Sequence, residues 1–204
     1  MVDNTQELCN RLSYFGGYMK GTYNLPAPGK LEFVRKLMNT WLVPNATQIP
    51  EDRLSALVRD QEAWRQSFPE VPLGAGDSAE LLVEMRDDLR RMLGGGSGWP
   101  ESFQRWLERF PPTVDVVTSA EATMVQHAPH PGSGVAGWML AVIVDAIADE
   151  TWFRLKRCPD CQWVFYDRTR SRTKVWCDML AGDAGGRSCG TIAKVRRYRE
   201  RQTP

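Results

Sequence analysis

Four of the five cysteines in this 204-residue chain lie in its last quarter, and their spacing constrains the fold more than any other feature. Cys158 and Cys161 are separated by two residues, and Cys177 and Cys189 follow. Two thiolates three positions apart can bind one metal ion from a tight turn, and two more complete a tetrahedron. Four sulfur ligands leave no open coordination position. The spacing therefore predicts one structural Zn²⁺ ion, with a metal-free set of buried thiols as the alternative.

Charge is distributed unevenly along the chain. Residues 154–204 carry thirteen Lys and Arg against five Asp and Glu, a net charge of +8. The preceding 153 residues carry a net charge of −7. The net charge of +1 for the whole chain is therefore the sum of an acidic N-terminal part and a basic C-terminal part. Such asymmetry favours a polyanion partner, and nucleic acid in particular, over a charged face that is only solvated. We therefore expect a helical domain over residues 1–153 and a metal-binding module over residues 154–204.

The sequence also indicates a compartment. The N-terminus lacks a basic region followed by an apolar run, so we expect no secretory signal. The most apolar stretch, residues 135–148, is interrupted by Asp145 and is too short to span a bilayer, which predicts no membrane association. Metal-type cysteine spacing without export favours a reducing cytoplasm. The remaining cysteine, Cys9, is predicted to be a small buried residue on an N-terminal helix.

Apolar periodicity predicts a mainly α fold. Helices are expected over residues 31–42 (ended by Pro44), from 50–52 onward, from an N-cap at Asp77 and Ser78 through 93, over 99–110, and over 134–157. Residues Thr113 to Val117 and Ala122 to Gln126 predict a small β-hairpin. We expect the helical domain to fold independently of the metal module.

The tail pattern predicts a small zinc-ribbon-like module ending in a basic helix. The aromatic and β-branched run from Gln162 to Tyr166 indicates a short strand after the first cysteine pair. Good helix formers follow Cys189, with Lys194, Arg197 and Arg201 on one face and Arg196 and Arg199 on the opposite side. The predicted DNA-binding residues are Arg168, Arg170, Arg172, Lys174, Lys194, Arg196, Arg197, Arg199 and Arg201.

Other candidate sites have a weaker basis. His127 and His130 are predicted to lie in a solvated loop, because Pro129 and Pro131 deny them a common helix face for metal binding. Asn39 and Trp41 could line a pocket for a small-molecule effector, although a helix-end residue and a core aromatic are the commoner roles. The sequence contains no recognisable pattern for a catalytic nucleophile, a general base or an open metal site. We therefore do not expect the chain to be an enzyme.

The motifs resemble the CGNR zinc-finger family of bacterial transcription regulators. The similarity lies in the cysteine pair followed by Phe165-x-Asp167, in Arg170 and Arg172, in Trp176-Cys177-x-Met179, and in Cys189-Gly190-x-x-Ala193-Lys194. Upstream, residues 31–34 and 38–41 resemble the start of the helical ABATE domain that accompanies this finger. The resemblance implies a zinc-binding C-terminal domain that binds double-stranded DNA.

Two features depart from that family. Thr191 and Ile192 replace the usual Asn-Arg after Cys-Gly, and residues 178–188 form an insertion between the last two cysteines. Because loop-closure entropy grows slowly with length, a zinc site tolerates the insertion. The lost arginine predicts weaker sequence discrimination on DNA.

Two functions follow as hypotheses. The first is a zinc-containing transcription regulator whose helical domain senses an effector or forms a homodimer. The second is a zinc-stabilised adaptor for protein interactions, without specific DNA binding. Salt-dependent binding to DNA distinguishes them.

Overall fold

The computed structural model describes residues 26–44, 47–93, 98–118, 122–177 and 188–202. Cys9 and all of the insertion except Ser188 lie outside the described residues, so the predictions made for them are not addressed. None of the helices in the described ranges is long and apolar enough to cross a membrane.

The described part of the chain contains seven α-helices, one 3₁₀ helix and three two-stranded antiparallel sheets. The helices are α1 (Leu31–Met38), α2 (Leu54–Arg59), α3 (Gln61–Ser67), α4 (Ala79–Met92), α5 (Trp99–Arg109), α6 (Gly134–Ala148) and α7 (Cys189–Gln202), and the 3₁₀ helix is Trp152–Arg154. The sheets pair β1 (Trp41–Leu42) with β2 (Glu51–Asp52), β3 (Thr113–Thr118) with β4 (Thr123–Ala128), and β5 (Leu155–Arg157) with β6 (Val164–Tyr166).

The main core lies where α1, α4 and α6 pack against one another. Helix α6 is apolar on most of its surface, because it is covered on several sides. The same core contains Trp152, Leu155 and Val164, which belong to the segment that leads into the cysteine cluster. The helical body and the start of the metal module therefore bury their apolar residues together.

Local capping explains where α4 begins. The Ser78 hydroxyl accepts a hydrogen bond from the Leu81 N–H at 3.1 Å, as expected for an N-cap. Asp77, predicted to share this role, instead accepts from the Val135 N–H at 2.9 Å and so caps α6, 58 residues further along the chain. Sequence proximity did not indicate that long-range partner.

The predicted helix over residues 31–42 is too long. It ends at Met38, and Trp41 and Leu42 pair with residues 51–52 as β1 and β2. The Thr40 hydroxyl donates to the Leu37 carbonyl at 2.7 Å and closes the last turn. Asp52, predicted to begin the next helix, lies in β2 and accepts from the Leu54 N–H at 3.1 Å, so α2 begins after it.

The predicted helix over residues 134–157 is also too long. It ends at Ala148, and Glu150 adopts a left-handed backbone conformation with φ 57° that the helix cannot continue through. The 3₁₀ helix and β5 then deliver the chain to Cys158. Strand β5 forms because it pairs with β6, with Leu155 opposite Tyr166. The apolar periodicity of the sequence does not reveal this pairing.

The predicted hairpin is confirmed as β3 and β4, with strands slightly longer than expected. His127 lies in β4 rather than in a loop, and its Nδ1 is 2.6 Å from an oxygen of Asp145 on α6. That contact ties the base of the hairpin to the helical body. The valines further along the hairpin, Val114, Val116 and Val125, are exposed.

Candidate metal centre

The four cysteines of the tail converge on one point. Cys158 and Cys161 lie on the turn between β5 and β6, Cys177 follows an irregular segment, and Cys189 begins α7. All four side chains are buried, and their Sγ atoms lie within 4.8 Å of one another. The Cys161 and Cys177 sulfurs are 3.3 Å apart, and those of Cys177 and Cys189 are 3.6 Å apart.

This donor set fits Zn²⁺. A tetrahedron with Zn–S bonds near 2.3 Å places its sulfurs roughly 3.8 Å apart, close to the observed separations. The set contains only sulfur, as structural zinc sites commonly do. The residues that would hold the ion are Cys158, Cys161, Cys177 and Cys189. The predicted structural zinc site is confirmed.

Electrostatics also favour a bound cation. Neighbouring sulfurs, Cys161 first, lower the pKa of the Cys158 thiol because they donate hydrogen bonds to its thiolate. The Cys158 sulfur in turn raises the pKa of both Cys161 and Cys177 far above the ordinary thiol value. Four thiolates in one buried cluster repel each other, so a dication is required to deprotonate the full set.

Backbone hydrogen bonds shape the first cysteine pair into a metal-binding turn. The Cys158 N–H donates to the Trp163 carbonyl at 2.9 Å, and the Gln162 N–H donates to the Cys158 carbonyl at 3.0 Å. Gln162 takes a left-handed conformation with φ 60°, which reverses the chain into β6. The turn therefore positions both sulfurs on the same side.

Aromatic side chains cover the cluster. Phe165 is buried beside the cysteines, and Trp163 and Trp176 pack against them. A Cβ on Gly190 would lie 3.3 Å from the Trp176 ring, so glycine at this position lets α7 approach the indole closely. This packing accounts for the glycine that follows the last zinc ligand.

The metal-binding turn is docked on the helical body through backbone contacts. The Val43 N–H donates to the Cys161 carbonyl at 3.0 Å. Arg90 on α4 donates to the Gln162 carbonyl at 2.8 Å and to the Met38 carbonyl at 2.6 Å. Burial, with repulsion from neighbouring arginines, lowers the pKa of Arg90 to about 10. The turn and the body thus share a polar interface as well as a core.

Asn39 is part of this interface. Its side-chain amide donates to the Val164 carbonyl at 2.8 Å, and its oxygen accepts from the Val164 N–H at 2.7 Å. Asn39 is fully buried, and Trp41 stacks under the Arg90 guanidinium at 4.7 Å. Both side chains have structural partners here, and the assignment of Asn39 and Trp41 to an effector pocket stays a prediction.

Asp167 organises the segment between the second and third cysteines, and sequence reasoning gave it no role. One carboxylate oxygen accepts from Lys156 Nζ at 2.7 Å and from the Lys174 N–H at 3.0 Å. The other accepts from the Thr169 N–H at 2.9 Å and from its hydroxyl at 2.6 Å. The sequence signal that could have indicated this function is a single acidic residue in a basic segment, at the second position after Phe165.

The charge of Asp167 is strongly stabilised. Burial raises the pKa of the Asp167 carboxyl. Hydrogen bonds from Lys156, Thr169 and Lys174 outweigh the effect of burial and hold the pKa at about 2. The fully buried carboxylate is therefore ionised throughout the physiological pH range. It fixes the backbone that carries the basic residues of this segment.

The predicted DNA-binding residues of this segment differ in their surroundings. Arg168 donates to the Pro26 carbonyl at 2.6 Å, and Arg172 pairs with Glu150 at 3.2 Å. Lys174 is half-buried and lies 5.4 Å from the centre of the Phe165 ring. Arg170 is exposed. The structure therefore places Arg170 outward and anchors Arg168 and Arg172 on the helical body.

Helix α7 carries the remaining predicted DNA-binding residues. Lys194, Arg196, Arg197, Arg199 and Arg201 all have exposed positions. Arg196 lies 3.3 Å from Asp160 in the metal-binding turn, on the side of α7 opposite Lys194 and Arg201. A rigid zinc site thus presents one basic helix face outward. DNA binding by these residues is a prediction.

Comparison with known proteins agrees with the geometry. Residues 154–202 match the family model of the CGNR zinc finger. No curated protein matches the chain significantly. The match begins in the 3₁₀ helix, spans all four cysteines and ends with α7, whereas the upstream ABATE resemblance stays a prediction. The segment of this chain from residue 154 to residue 202 is therefore a CGNR zinc finger built around one structural zinc site.

Proposed function

We propose that this chain is a DNA-binding transcription regulator of the cytoplasm, without catalytic activity. Its zinc finger contacts double-stranded DNA, and its helical region senses an effector or forms a homodimer. The observation that supports DNA binding is the exposed basic face of α7, with Lys194, Arg197 and Arg201, held by the zinc ligand Cys189 at its first residue. Cations on a rigid helix neutralise phosphates without first losing conformational freedom.

Salt dependence tests the proposal. A labelled duplex is titrated with zinc-loaded full-length protein at several salt concentrations. If Z phosphates are neutralised, log K falls with log salt at a slope of about −0.9Z. The double variant Arg197→Ala/Arg201→Ala should bind all sequences more weakly, and its slope should be flatter by roughly one per lost contact.

A matched control removes the same charge elsewhere. Arg65 and Arg105 are exposed arginines on α3 and α5. Arg65→Ala/Arg105→Ala should leave both affinity and slope near those of the unaltered protein, because these helices lie outside the finger. An equal loss of DNA affinity in the two double variants would show that binding depends on the net charge of the protein and not on the position of the arginines. Absence of binding at low salt would overturn the DNA-binding proposal.

One observation favours the adaptor as the second candidate. On one face of the β3–β4 hairpin, Val114, Val116 and Val125 are all more than 60% exposed. Exposed apolar side chains that adjoin each other are common at protein interfaces. If DNA binding is absent, replacement of these valines by threonine should abolish association with a protein partner while leaving the zinc content unchanged.

A further inference from the structure

A small cleft separates the metal-binding turn from α7. Its volume is about 240 Å³, which is smaller than a pocket for a drug-sized ligand and suits the edge of one base or base pair. Its walls combine an aromatic ring, two guanidinium groups and a carboxylate. The lining residues are Pro159, Asp160, Trp176, Ala193, Arg196 and Arg197.

Asp160 is the unusual member of this set. It lies between the zinc ligands Cys158 and Cys161, and only 3% of its side chain is exposed. One oxygen accepts from Arg196 Nη2 at 3.3 Å. The other oxygen is buried and has no hydrogen-bond partner among the described residues. A buried acceptor without a donor costs free energy, and the hydrogen bond from Arg196 to the other oxygen offsets part of the cost of burying this carboxylate.

Arg196 complements Asp160. Its side chain is 57% exposed, so the guanidinium is held by the carboxylate and still reaches the surface. The carboxylate belongs to a turn fixed by metal ligands on both sides, which restricts the orientations of the guanidinium. Arg196 is therefore better ordered than an arginine on a solvated helix face.

The position of Arg196 on α7 separates it from the other cations. Ala193 and Arg196 face the metal-binding turn and line the cleft. Lys194 and Arg201 lie on the outward face, with Arg197 at the edge between that face and the cleft. Outward cations are suited to phosphates, which carry no sequence information, whereas an oriented arginine is suited to a base.

The donors of the oriented Arg196 side chain match one base pair better than the other. In the major groove a G·C pair presents two adjacent acceptors, guanine N7 and O6, followed by the cytosine N4 donor. Arginine donates to the two acceptors as a bidentate pair. An A·T pair offers no two adjacent acceptors and places a methyl group in the same edge.

We propose that this cleft reads a G·C pair, with Arg196 as the guanine-reading residue and Asp160 as the residue that positions it. This inference rests on the proposed DNA binding and adds a sequence preference to it.

The test measures base preference separately from affinity. Zinc-loaded full-length protein selects duplexes from a random pool, and Kd values are measured for the selected site. In matched duplexes each guanine is replaced in turn by adenine or by 7-deazaguanine, which lacks only the N7 acceptor. One guanine should be preferred by at least about fivefold over adenine, and 7-deazaguanine at that position should weaken binding.

Variants assign the preference to the cleft. Arg196→Lys keeps the charge but not the bidentate geometry, so the preference should disappear while the salt slope is unchanged. Asp160→Asn should reduce the preference with zinc content retained. Lys194→Ala, on the outward face of α7, should weaken binding to all duplexes equally. A merely structural role for Asp160 would lower affinity for every sequence without altering the ratio between bases.

Three outcomes overturn the inference, and one leaves the decision to a single variant. Salt-dependent binding without a guanine preference, or a preference that survives Arg196→Lys, would refute base reading and leave the proposed function standing. If Asp160→Asn loses its zinc, the Arg196→Lys result decides alone, because the Arg196 side chain is 57% exposed and is not itself a metal ligand. If no duplex binds at low salt, both the inference and the proposed function fail.

Discussion

Asp167 is an acidic residue in the most basic part of the chain, and its four hydrogen bonds order that part. It joins Lys156 on β5 to the backbone of Thr169 and Lys174. Repulsion among neighbouring cations would otherwise spread the segment. An acidic residue thus supports the presentation of a basic surface.

Replacement of Asp167 tests this role. Asp167→Asn should lower the free energy of unfolding by about 2 kcal/mol at neutral pH, because the folded-state pKa of about 2 lies below the unfolded value near 3.9. For a lowered pKa, the stabilisation is complete above the unfolded value and is lost as pH falls toward the folded one. The difference between the two proteins in urea denaturation should therefore be constant from about pH 6 to pH 8. A difference that changes across this interval would contradict the assignment.

Gly134 illustrates a second single-residue constraint. It has φ 58°, and a Cβ at this position would lie 2.4 Å from an oxygen of Asp77. That carboxylate caps α6 through the Val135 N–H. Alanine would both strain the backbone and displace the cap.

Gly134→Ala should therefore lower the free energy of unfolding by about 2 kcal/mol, measured by chemical denaturation. Gly76→Ala is the matched control, because its nearest neighbour would be 4.0 Å away and its φ is not positive. Gly76→Ala should leave the free energy of unfolding nearly unchanged. Equal effects of the two substitutions would show that loss of glycine flexibility, not the contact with Asp77, matters at both sites.

At the scale of elements, β6 joins the zinc finger to the helical body. Its first residue, Val164, is fully buried in the main core, and both of its backbone polar groups bond to Asn39 at the end of α1. Arg35 on α1 donates to the same carbonyl at 3.2 Å. Strand β6 therefore has one neighbour in the finger and another in the body.

Asn39→Leu tests this junction. The substitution keeps the side chain close in size but leaves the buried Val164 N–H without its acceptor, since Arg35 can satisfy only the carbonyl. We expect a loss of about 1–3 kcal/mol in the free energy of unfolding. Gln104→Leu on the exposed side of α5 is the control and should change stability by less than about 0.5 kcal/mol. Wild-type stability in Asn39→Leu would show that the junction contributes nothing measurable.

At the scale of the whole molecule, zinc binding and the stability of the helical body are expected to be coupled. The finger contributes Leu155 and Val164 to the main core, and Val43 and Arg90 of the body bind the carbonyls of Cys161 and Gln162. The sequence led us to expect that the helical domain would fold independently of the metal module. These contacts favour a different outcome.

Removal of zinc by a chelator should lower the thermal unfolding midpoint of the helical body as well as unfold the finger, because metal-binding free energy is also folding free energy. Hydrogen exchange of the α1 and α4 amides, followed with and without chelator, reports on the body alone. Faster exchange in those helices supports coupling. Unchanged exchange, with α7 fully exchanged, would show that residues 1–153 are an independent domain.

Some elements were predictable because their causes are local. The Cys-x-x-Cys spacing, the two later cysteines and the charge of α7 are linear patterns, and they determined the zinc site and the basic helix. The β3–β4 hairpin and the Ser78 cap depend on residues within a few positions of each other, and both are confirmed. Such features follow from backbone propensity and hydrogen bonding over one or two turns.

Other elements depended on residues far apart in the chain. Helices α1 and α6 both end earlier than their apolar periodicity predicts, because Trp41–Leu42 and Leu155–Arg157 find strand partners. Asp77 caps a helix 58 residues away, and Asp167 and Asp160 acquire their roles only beside Lys156 and Arg196. The sequence by itself determined which atoms can bind the metal and where the positive charge lies. Only the tertiary structure decided where helices stop and which acidic residues hold the basic ones, since buried polar groups must be satisfied by whatever partner the packed chain brings to them.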